Sequence, residues 1–352
     1  MRAASLTFLK NLLDAPSPSG FEQPVAEVWR KYVHTFADAV ERDYHGNSIA
    51  SLNTSAKKRL MFAGHCDELG FLVHYINEQG FIYFKTVGGH DMTMISGRRV
   101  KILTKDGPVT GVTGKKAIHL MTPEERKKVP EIENLWIDIG SSSKKNAEKR
   151  VAIGDPVVYD MSFQHITKDV VTSRAFDNKV GAFAVAEALR YLQNESLQVA
   201  VYSVATVQEE IGLRGARTSA FGIAPDIGIG IDVTHATDHP EVDMRKTGEV
   251  KLGAGPVILR GANAHPKVAA LLVQAAEEEK IPYQLQALAG GIPSDANELQ
   301  LAGSGSAAGA VSIPLRYMHT PSEIVSLSDV DNTAKLLAAF AKRITADMDF
   351  RI

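Results

Sequence analysis

Two adjacent glutamates, Glu209 and Glu210, follow an apolar segment, residues 197–207, and precede a glycine-containing turn. An apolar run that stops at charged residues is typical of a buried strand that ends at the edge of a sheet. Successive side chains of an extended chain point to opposite sides, so one glutamate could bind a cation while the other moves a proton. The ordinary alternative is a pair of solvent-exposed glutamates in a loop, because Glu is rarely buried.

Three other apolar segments also end in residues that can bind metal ions. These are residues 59–64, followed by His65 and Asp67, residues 225–231, followed by Asp232, and residues 310–318, followed by His319. The carboxyl ends of parallel strands meet along one edge of an α/β sheet, where such folds bind ligands. We therefore expect these residues to converge, together with Asp177, a carboxylate that precedes a predicted helix at residues 178–192.

The chemistry of this group favours a pair of metal ions. Two histidines and several carboxylates, without paired cysteines, suit zinc, cobalt or manganese. A single catalytic zinc needs three protein ligands and a water, and the surplus predicts two ions about 3.5–4 Å apart that share a carboxylate and a water. Asp67 is expected to accept a hydrogen bond from the ring of His65 and so to fix its tautomer.

Most of these residues also have a purely structural explanation. Asp177 could cap the following helix, and His319 could stabilise the turn before Pro321. Asp232 has other candidates nearby, and we prefer it because it directly follows the predicted strand. Those other candidates are His235, Asp238 and His239.

The predicted helices and strands fall into two patterns. Residues 1–68 and 165–352 alternate between helical and strand periodicity, which predicts an α/β catalytic domain with a mixed, mostly parallel sheet sandwiched by helices. Residues 69–164 contain short β-type segments broken by glycines, which predict a small all-β domain inserted into the first. The last helix is predicted at residues 327–348, with Ser328 as its N-cap.

Composition narrows the class of protein. The 352 residues carry a formal net charge of -2 at pH 7, so no basic excess favours nucleic acid or an anionic membrane. No segment approaches the roughly 20 apolar residues that span a bilayer. The single cysteine, Cys66, excludes an internal disulfide and fits a reducing compartment. Residues 1–10 lack the apolar core of a signal peptide. We expect a cytoplasmic protein that binds neither nucleic acid nor membrane.

Seven motifs, in order across nearly the whole chain, resemble those of one family. They are PSPSGFE (residues 16–22), GHCDELGF (64–71), VGG (87–89), FDNK (176–179), QEEIGLRGA (208–216), the strand before Asp232, and RYMHTP (316–321). The chain is similar to the cytosolic dinuclear metallo-aminopeptidases of the tetrahedral-aminopeptidase type. That group includes glutamyl and deblocking aminopeptidases and proteins that have been labelled cellulase M.

The resemblance implies a role for each residue of the predicted metal site. His65 and Asp232 would bind one ion, Glu210 and His319 would bind the other, and Asp177 would bridge both. Zinc is the first expected metal, with cobalt or manganese as alternatives. These two pairs of ligands and the bridge imply two divalent ions per subunit.

The resemblance also implies a reaction and an assembly. Glu209 would act as general base, taking a proton from the bridging water as it attacks a peptide carbonyl and passing it to the leaving amine. The substrate would be a short peptide that loses its N-terminal residue. The β insertion would serve in dimerisation and in shaping the site, and dimers would build a dodecamer. The segment GGIPSDAN (290–297) replaces the family's Gly-Gly-Thr-Asp, which leaves open the role of Asp295 and the preferred N-terminal side chain.

Two rival functions remain on the sequence alone. A glycoside hydrolase of the endoglucanase type would use Glu209 and Glu210 as its two carboxylates, but these must flank the scissile bond about 5–9.5 Å apart, which suits adjacent residues poorly. A non-catalytic metal-binding relative would have no need of a general base such as Glu209.

Overall fold

The computed structural model describes residues 1–352. None of its helices combines the length and the apolar character that a membrane crossing requires. The helices are α1 (Ala3–Asp14), α2 (Gln23–Val33), α3 (Lys144–Ala147), α4 (Phe176–Leu192), α5 (Arg214–Ile223), α6 (Met244–Thr247), α7 (Pro266–Glu278), α8 (Asp295–Gln300) and α9 (Leu327–Arg343).

The strands form a large sheet and a separate barrel. The sheet contains β1 (Ala39–Arg42), β2 (Ser48–Leu52), β3 (Arg59–His65), β10 (Gln164–His165), β11 (Val170–Ser173), β12 (Ala200–Thr206), β13 (Ile227–His235), β14 (Val257–Gly261), β15 (Gln284–Leu288), β16 (Ala307–Arg316) and β17 (Glu323–Ser326). The barrel contains β4 (Gly70–Ile76), β5 (Ile82–Val87), β6 (Arg99–Thr104), β7 (Gly107–Gly114), β8 (Trp136–Asp138) and β9 (Pro156–Tyr159).

The large sheet is mixed, with parallel strands at its centre. Its order is β1-β2-β12-β3-β13-β16-β17-β11-β10, and β14 joins β16 while β15 joins β14. The four central strands, β12, β3, β13 and β16, run parallel, and their outer neighbours β2 and β17 are antiparallel. The carboxyl ends of four adjacent strands therefore lie at one edge, as a mixed α/β fold was expected to place them.

Helix α4 lies directly against the strand that carries His65. A methyl group built on Gly64 would lie 2.5 Å from the carbonyl carbon of Gly181, so only glycine permits this approach. Trp29 of α2 donates a hydrogen bond to the carbonyl of Ala182 in α4 (2.8 Å). The close packing fixes the start of α4, and hence Asp177, relative to the end of β3.

The barrel is an insertion with a core of its own. Its strands close in the order β4-β5-β8-β7-β6-β9, and the chain returns to the large sheet at β10, which pairs with β11. The barrel contains an apolar cluster of 15 buried residues, separate from the cluster of 52 that surrounds the large sheet. Two separate cores are the mark of two structural units. The predicted fold class, an α/β domain with an inserted small β domain, is confirmed.

Three sequence-based details are wrong. Strand β13 does not end before Asp232 but continues to His235, because it keeps its pairing with β16 up to the pair His235 and Leu315. Helix α9 ends at Arg343 rather than at residue 348. Its N-cap is Ser326, whose hydroxyl accepts a hydrogen bond from the backbone N–H of Asp329 (3.3 Å), because the extended backbone of Ser326 directly precedes the first helical residue, Leu327.

Candidate metal centre

Three adjacent parallel strands deliver the first part of the site. His65 is the last residue of β3, Asp232 lies near the end of β13, and Glu209 and Glu210 follow β12. Since β3 lies between β12 and β13 in the sheet, its histidine is flanked by carboxylates from both sides. The side chains of Glu209 and Glu210 are only 10 % and 6 % exposed, which excludes a solvent-exposed loop as an explanation for them.

Three carboxylates surround the ring of His65. Its Nε2 atom lies 3.3 Å from Asp177 Oδ1, 3.7 Å from Asp232 Oδ1 and 3.7 Å from Glu209 Oε2. The ring is buried, with 2 % of the side chain exposed. The ligand atoms of His65, Glu209 and Asp232 lie within 4.8 Å of one another, and so do those of His65, Asp177 and Glu210, so that either group could hold a cation.

The second histidine lies on the other side of Asp177. His319 belongs to the loop between β16 and β17, and its Nε2 atom lies 3.3 Å from Asp177 Oδ2 and 3.8 Å from Glu210 Oε2. Asp177 thus presents one oxygen to each histidine. The five residues predicted as metal ligands are therefore brought together in the structure, with Asp177 in the middle.

The backbone explains why Asp177 is available for this position. The residue has an extended conformation (φ -75°, ψ 107°) rather than a helical one. The first turn of α4 is capped by the neighbouring side chain, since Asn178 Oδ1 accepts a hydrogen bond from the N–H of Gly181 (3.0 Å). The carboxylate of Asp177 is left to face the two histidines.

The other acids and histidines near Asp232 form no ion pair with His65. Asp238 forms an ion pair with Arg316 (2.8 Å), and His239 Nδ1 lies 2.9 Å from the carbonyl oxygen of Pro240. His235 lines the cavity in front of the centre. Of these neighbours only Asp232 lies against His65.

The carboxylates of the centre are only partly compensated by other groups of the chain. Burial, followed by the neighbouring carboxylates, raises the pKa of Glu209 to about 9 against the opposing effect of His65. Burial and the charge of Asp177 raise the pKa of Glu210 well above its usual range, and burial raises that of Asp232. Glu210 Oε1 is also buried without a hydrogen-bond partner. Buried carboxylates that lack donors are satisfied by metal ions, and a donor set of imidazole nitrogens and carboxylate oxygens fits a divalent transition metal.

Asp67 contacts both His65 and the backbones of the two glutamates. Its Oδ1 atom lies 3.4 Å from His65 Nδ1, and the backbone oxygen of Asp67 lies 3.3 Å from the same nitrogen. Its two carboxylate oxygens also accept hydrogen bonds from the backbone N–H groups of Glu209 (3.1 Å) and Glu210 (3.2 Å). Burial opposes ionisation, but the bonds from His65 and Ser19 hold the pKa of Asp67 below its usual range.

A second buried acid, which the sequence analysis did not single out, lies next to the centre. Glu68 is 2 % exposed and pairs with Arg174 and with Lys179 Nζ (2.8 Å). It also accepts a hydrogen bond from the backbone of Ser17 (2.9 Å). Burial opposes ionisation, but the two cations keep the pKa of Glu68 below its usual range. Glu68 and Lys179 lie within quoted motifs, which was the available signal, whereas Arg174 lies outside them.

A cavity of about 390 Å³ opens in front of the centre. Apart from the acids and histidines of the centre, its lining comprises Val233, Thr234, His235, Pro293 and Met318. Asp295 is not part of the lining. It is buried (2 % exposed), accepts a hydrogen bond from Thr206 Oγ1, and burial raises its pKa to about 7.

The barrel also contributes to the wall of the centre, through two glycines that follow β5. A methyl group built on Gly88, which has a positive φ of 79°, would lie 3.4 Å from Glu210 Cβ. One built on Gly89 would lie 3.5 Å from His319 Nδ1. The insertion therefore packs against two of the predicted metal ligands.

Comparison with known proteins relates this chain to peptidases. The family described as M42 glutamyl aminopeptidase matches residues 46–336. A putative aminopeptidase of Acetivibrio thermocellus is 39% identical over 333 residues, which are 94% of this chain and 96% of that protein.

Two solved structures extend the relation to the whole fold. The TET aminopeptidase of Thaumarchaeota archaeon SCGC AB-539-E09 superposes with a TM-score of 0.93 at 33% identity, covering 98% of both chains. The TET1 peptidase of Pyrococcus horikoshii, described as assembling into a tetrahedron or a large octahedral shell, superposes with a TM-score of 0.86 at 31% identity, covering 97% of this chain and 100% of its own. The resemblance found in the sequence motifs is confirmed, and the chain belongs to the M42 glutamyl aminopeptidase family of peptide-bond hydrolases.

Proposed function

We propose that this aminopeptidase uses two divalent metal ions, bound side by side, to remove N-terminal residues from short peptides. The observation that carries the proposal is the position of Asp177, whose two oxygens each lie 3.3 Å from a different histidine. His65 with Asp232 would hold one ion, and His319 with Glu210 the other. Asp177 would bridge both. Zinc suits this nitrogen and oxygen donor set, and cobalt or manganese are the alternatives.

Glu209 is the group best placed to move protons. When bound, the ions would polarise the peptide carbonyl and make a shared water more acidic. They would also stabilise the carboxylate form of Glu209 and so lower its pKa from the value of about 9 that burial produces in their absence. Its side chain is 10 % exposed at the cavity, and Asp67 holds its backbone N–H. Glu209 can thus accept the proton of the attacking water and donate it to the leaving amine.

We also propose a substrate cavity, an oligomeric assembly and a cellular compartment for the reaction. The cavity of about 390 Å³ would hold the N-terminal residue of a peptide. Relatives that form tetrahedral shells support a homo-oligomer built from dimers to a dodecamer, with the barrel taking part in dimerisation. The single cysteine supports a reducing, cytoplasmic compartment.

The decisive experiment compares metal-free and metal-loaded protein on a panel of aminoacyl anilides and short peptides. Zn²⁺, Co²⁺ or Mn²⁺ should restore hydrolysis after removal of metal, and a chelator should abolish it. Glu209→Gln should lower kcat by about 10²–10⁴-fold while it keeps its metal, and Glu41→Gln, an exposed acid on β1, should behave like wild type.

Three results would contradict the proposal in different ways. The absence of chelator-sensitive hydrolysis on every substrate would overturn the metal-dependent reaction. Full activity of Glu209→Gln would remove that residue from the mechanism. Release of sugar from a glucan in the presence of chelator would instead favour glycoside hydrolysis.

A further inference from the structure

Glu323 is a buried acid that the proposed reaction does not use. It is 2 % exposed and is the first residue of β17. None of the ion pairs in the structure involves it, in contrast to Glu68 with its arginine and lysine. A buried carboxylate is costly unless its oxygens receive hydrogen bonds, so its actual partners show what it does.

Those partners are the backbones of two proposed metal ligands. Glu323 Oε2 accepts a hydrogen bond from the N–H of Asp177 (3.0 Å), and Oε1 accepts one from the N–H of His319 (3.1 Å). One carboxylate thus links the start of α4, directly after the loop that follows β11, to the loop after β16. The side chains of the same two residues meet on the other side, with Asp177 Oδ2 3.3 Å from His319 Nε2.

The sheet places Glu323 between these loops. Strand β17 pairs with β11 through Glu323 and Ser173, and with β16 through Ile324 and Arg316. Each loop contains a backbone conformation that non-glycine residues rarely adopt, with φ of 60° at Ala175 and 62° at His319. Such conformations persist only where surrounding contacts impose them.

We propose that Glu323 is a positioning residue that sets the spacing between Asp177 and His319, so that both side chains reach the same metal ion. The inference rests on the proposed metal centre. Partners that orient metal ligands typically change metal affinity or activity by about 10–100-fold when they are replaced. In Glu323→Gln the amide NH₂ group would face one of the two backbone N–H groups, donor against donor, and one loop would be released.

The chain offers a matched control. Asp329 is also buried (0 % exposed) and also accepts from two backbone N–H groups, those of Gly253 (2.6 Å) and Gly255 (2.8 Å). It contacts none of the proposed ligands through these bonds. Asp329→Asn therefore reproduces the structural cost of Glu323→Gln without touching the loops of the centre.

The test is a titration of metal-free protein with Co²⁺, monitored by visible absorption. Urea unfolding of the metal-free forms, measured in parallel, shows whether each variant is folded. We expect Glu323→Gln to raise at least one Co²⁺ dissociation constant by about 10–100-fold. Asp329→Asn should leave both constants unchanged. Both constants within twofold of wild type in Glu323→Gln would overturn the inference. If Glu323→Gln does not fold, Glu323→Asp, which is too short to reach both N–H groups, is judged by the same criterion. Wild-type protein that binds no Co²⁺ would overturn the metal centre as well, whereas an unchanged Glu323→Gln beside a binding wild type overturns this inference alone.

Discussion

Glu68 and Glu210 are buried carboxylates that follow neighbouring strands of the same sheet, but their surroundings differ. Glu68 has Arg174 and Lys179 as partners, and its pKa lies below the usual range. Glu210 has other carboxylates around it, one oxygen without a partner, and a pKa well above the usual range. The first acid is neutralised by cations that the chain itself supplies.

The difference separates a structural ion pair from a proposed metal site. A buried charge is tolerated when a partner and hydrogen bonds compensate its loss of hydration. Around Glu68 this compensation is complete in the folded chain. Around Glu210 it is incomplete until protons or metal ions are bound, so that the stability of this region depends on the solution. Three experiments exploit this contrast.

Removal of metal should have the largest effect, and only on the group around Glu210. At a free concentration 1,000-fold above its dissociation constant, each bound ion adds about 4 kcal/mol to the free energy of unfolding. Urea unfolding with and without chelator measures this difference, and readdition of Zn²⁺ or Co²⁺ should restore it. Equal unfolding curves would mean that the carboxylates are stable as they are and would break the comparison.

Removal of a positively charged side chain that pairs with Glu68 should have the second-largest effect. Lys179 is 0 % exposed, and Lys179→Met should lower the free energy of unfolding by about 3–5 kcal/mol, because Glu68 loses one of its two buried partners. The loss should be found with and without metal. Lys335→Met is the control, because the pair of Lys335 with Asp331 is partly exposed and is expected to contribute about 1 kcal/mol or less. Similar losses in the two variants would contradict the role assigned to Glu68.

A change of one pH unit should have the smallest effect on the free energy of unfolding, with opposite signs in the two groups. In the metal-free protein the pKa of Glu209 is about 9 against a usual 4.5, so folding retains a proton that the unfolded chain loses. The free energy of unfolding should therefore fall as the pH rises from 5 to 9, by at most about 1.4 kcal/mol per pH unit for each such proton. The contribution of Glu68, whose pKa is lowered, is present above pH 4.5 and is lost as the pH falls below it.

Urea unfolding at a series of pH values measures this slope. Glu209→Gln in the metal-free form should reduce the decline between pH 5 and 9, and bound metal should remove most of it because the ion takes the place of the protons. A metal-free protein whose stability rises over this range would show that the acids of the centre are ionised and already compensated by other groups of the chain.

Much of the centre was predictable because it follows from strand direction. His65, Asp232 and Glu210 come at or near the ends of adjacent parallel strands, which a sequence pattern can place at one edge. The exact end of β13 was not predictable, because pairing with β16 extends it to His235. Local hydrophobicity contains no information about how far two strands remain paired.

The supporting contacts were harder to predict. Arg174 and Lys179 are 106 and 111 residues from Glu68 in sequence, and Glu323 is 146 residues from Asp177. These contacts depend on how loops that are distant in sequence pack together. No periodicity or spacing in the sequence predicts that packing. Asp67 was partly predictable, since its place two residues after His65 suggested the contact with the ring, but not its bonds to the backbones of Glu209 and Glu210.

The two glycines that follow β5 have a consequence for engineering. Because Gly88 and Gly89 lie against Glu210 and His319, the barrel cannot be treated as an exchangeable module. A chimera that receives the barrel of another relative would need the same glycine turn at the same position, or a side chain would enter the space beside these two proposed ligands. Transplants that keep residues 87–90 of this chain and replace only the far end of the barrel are the ones that should retain the geometry of the centre.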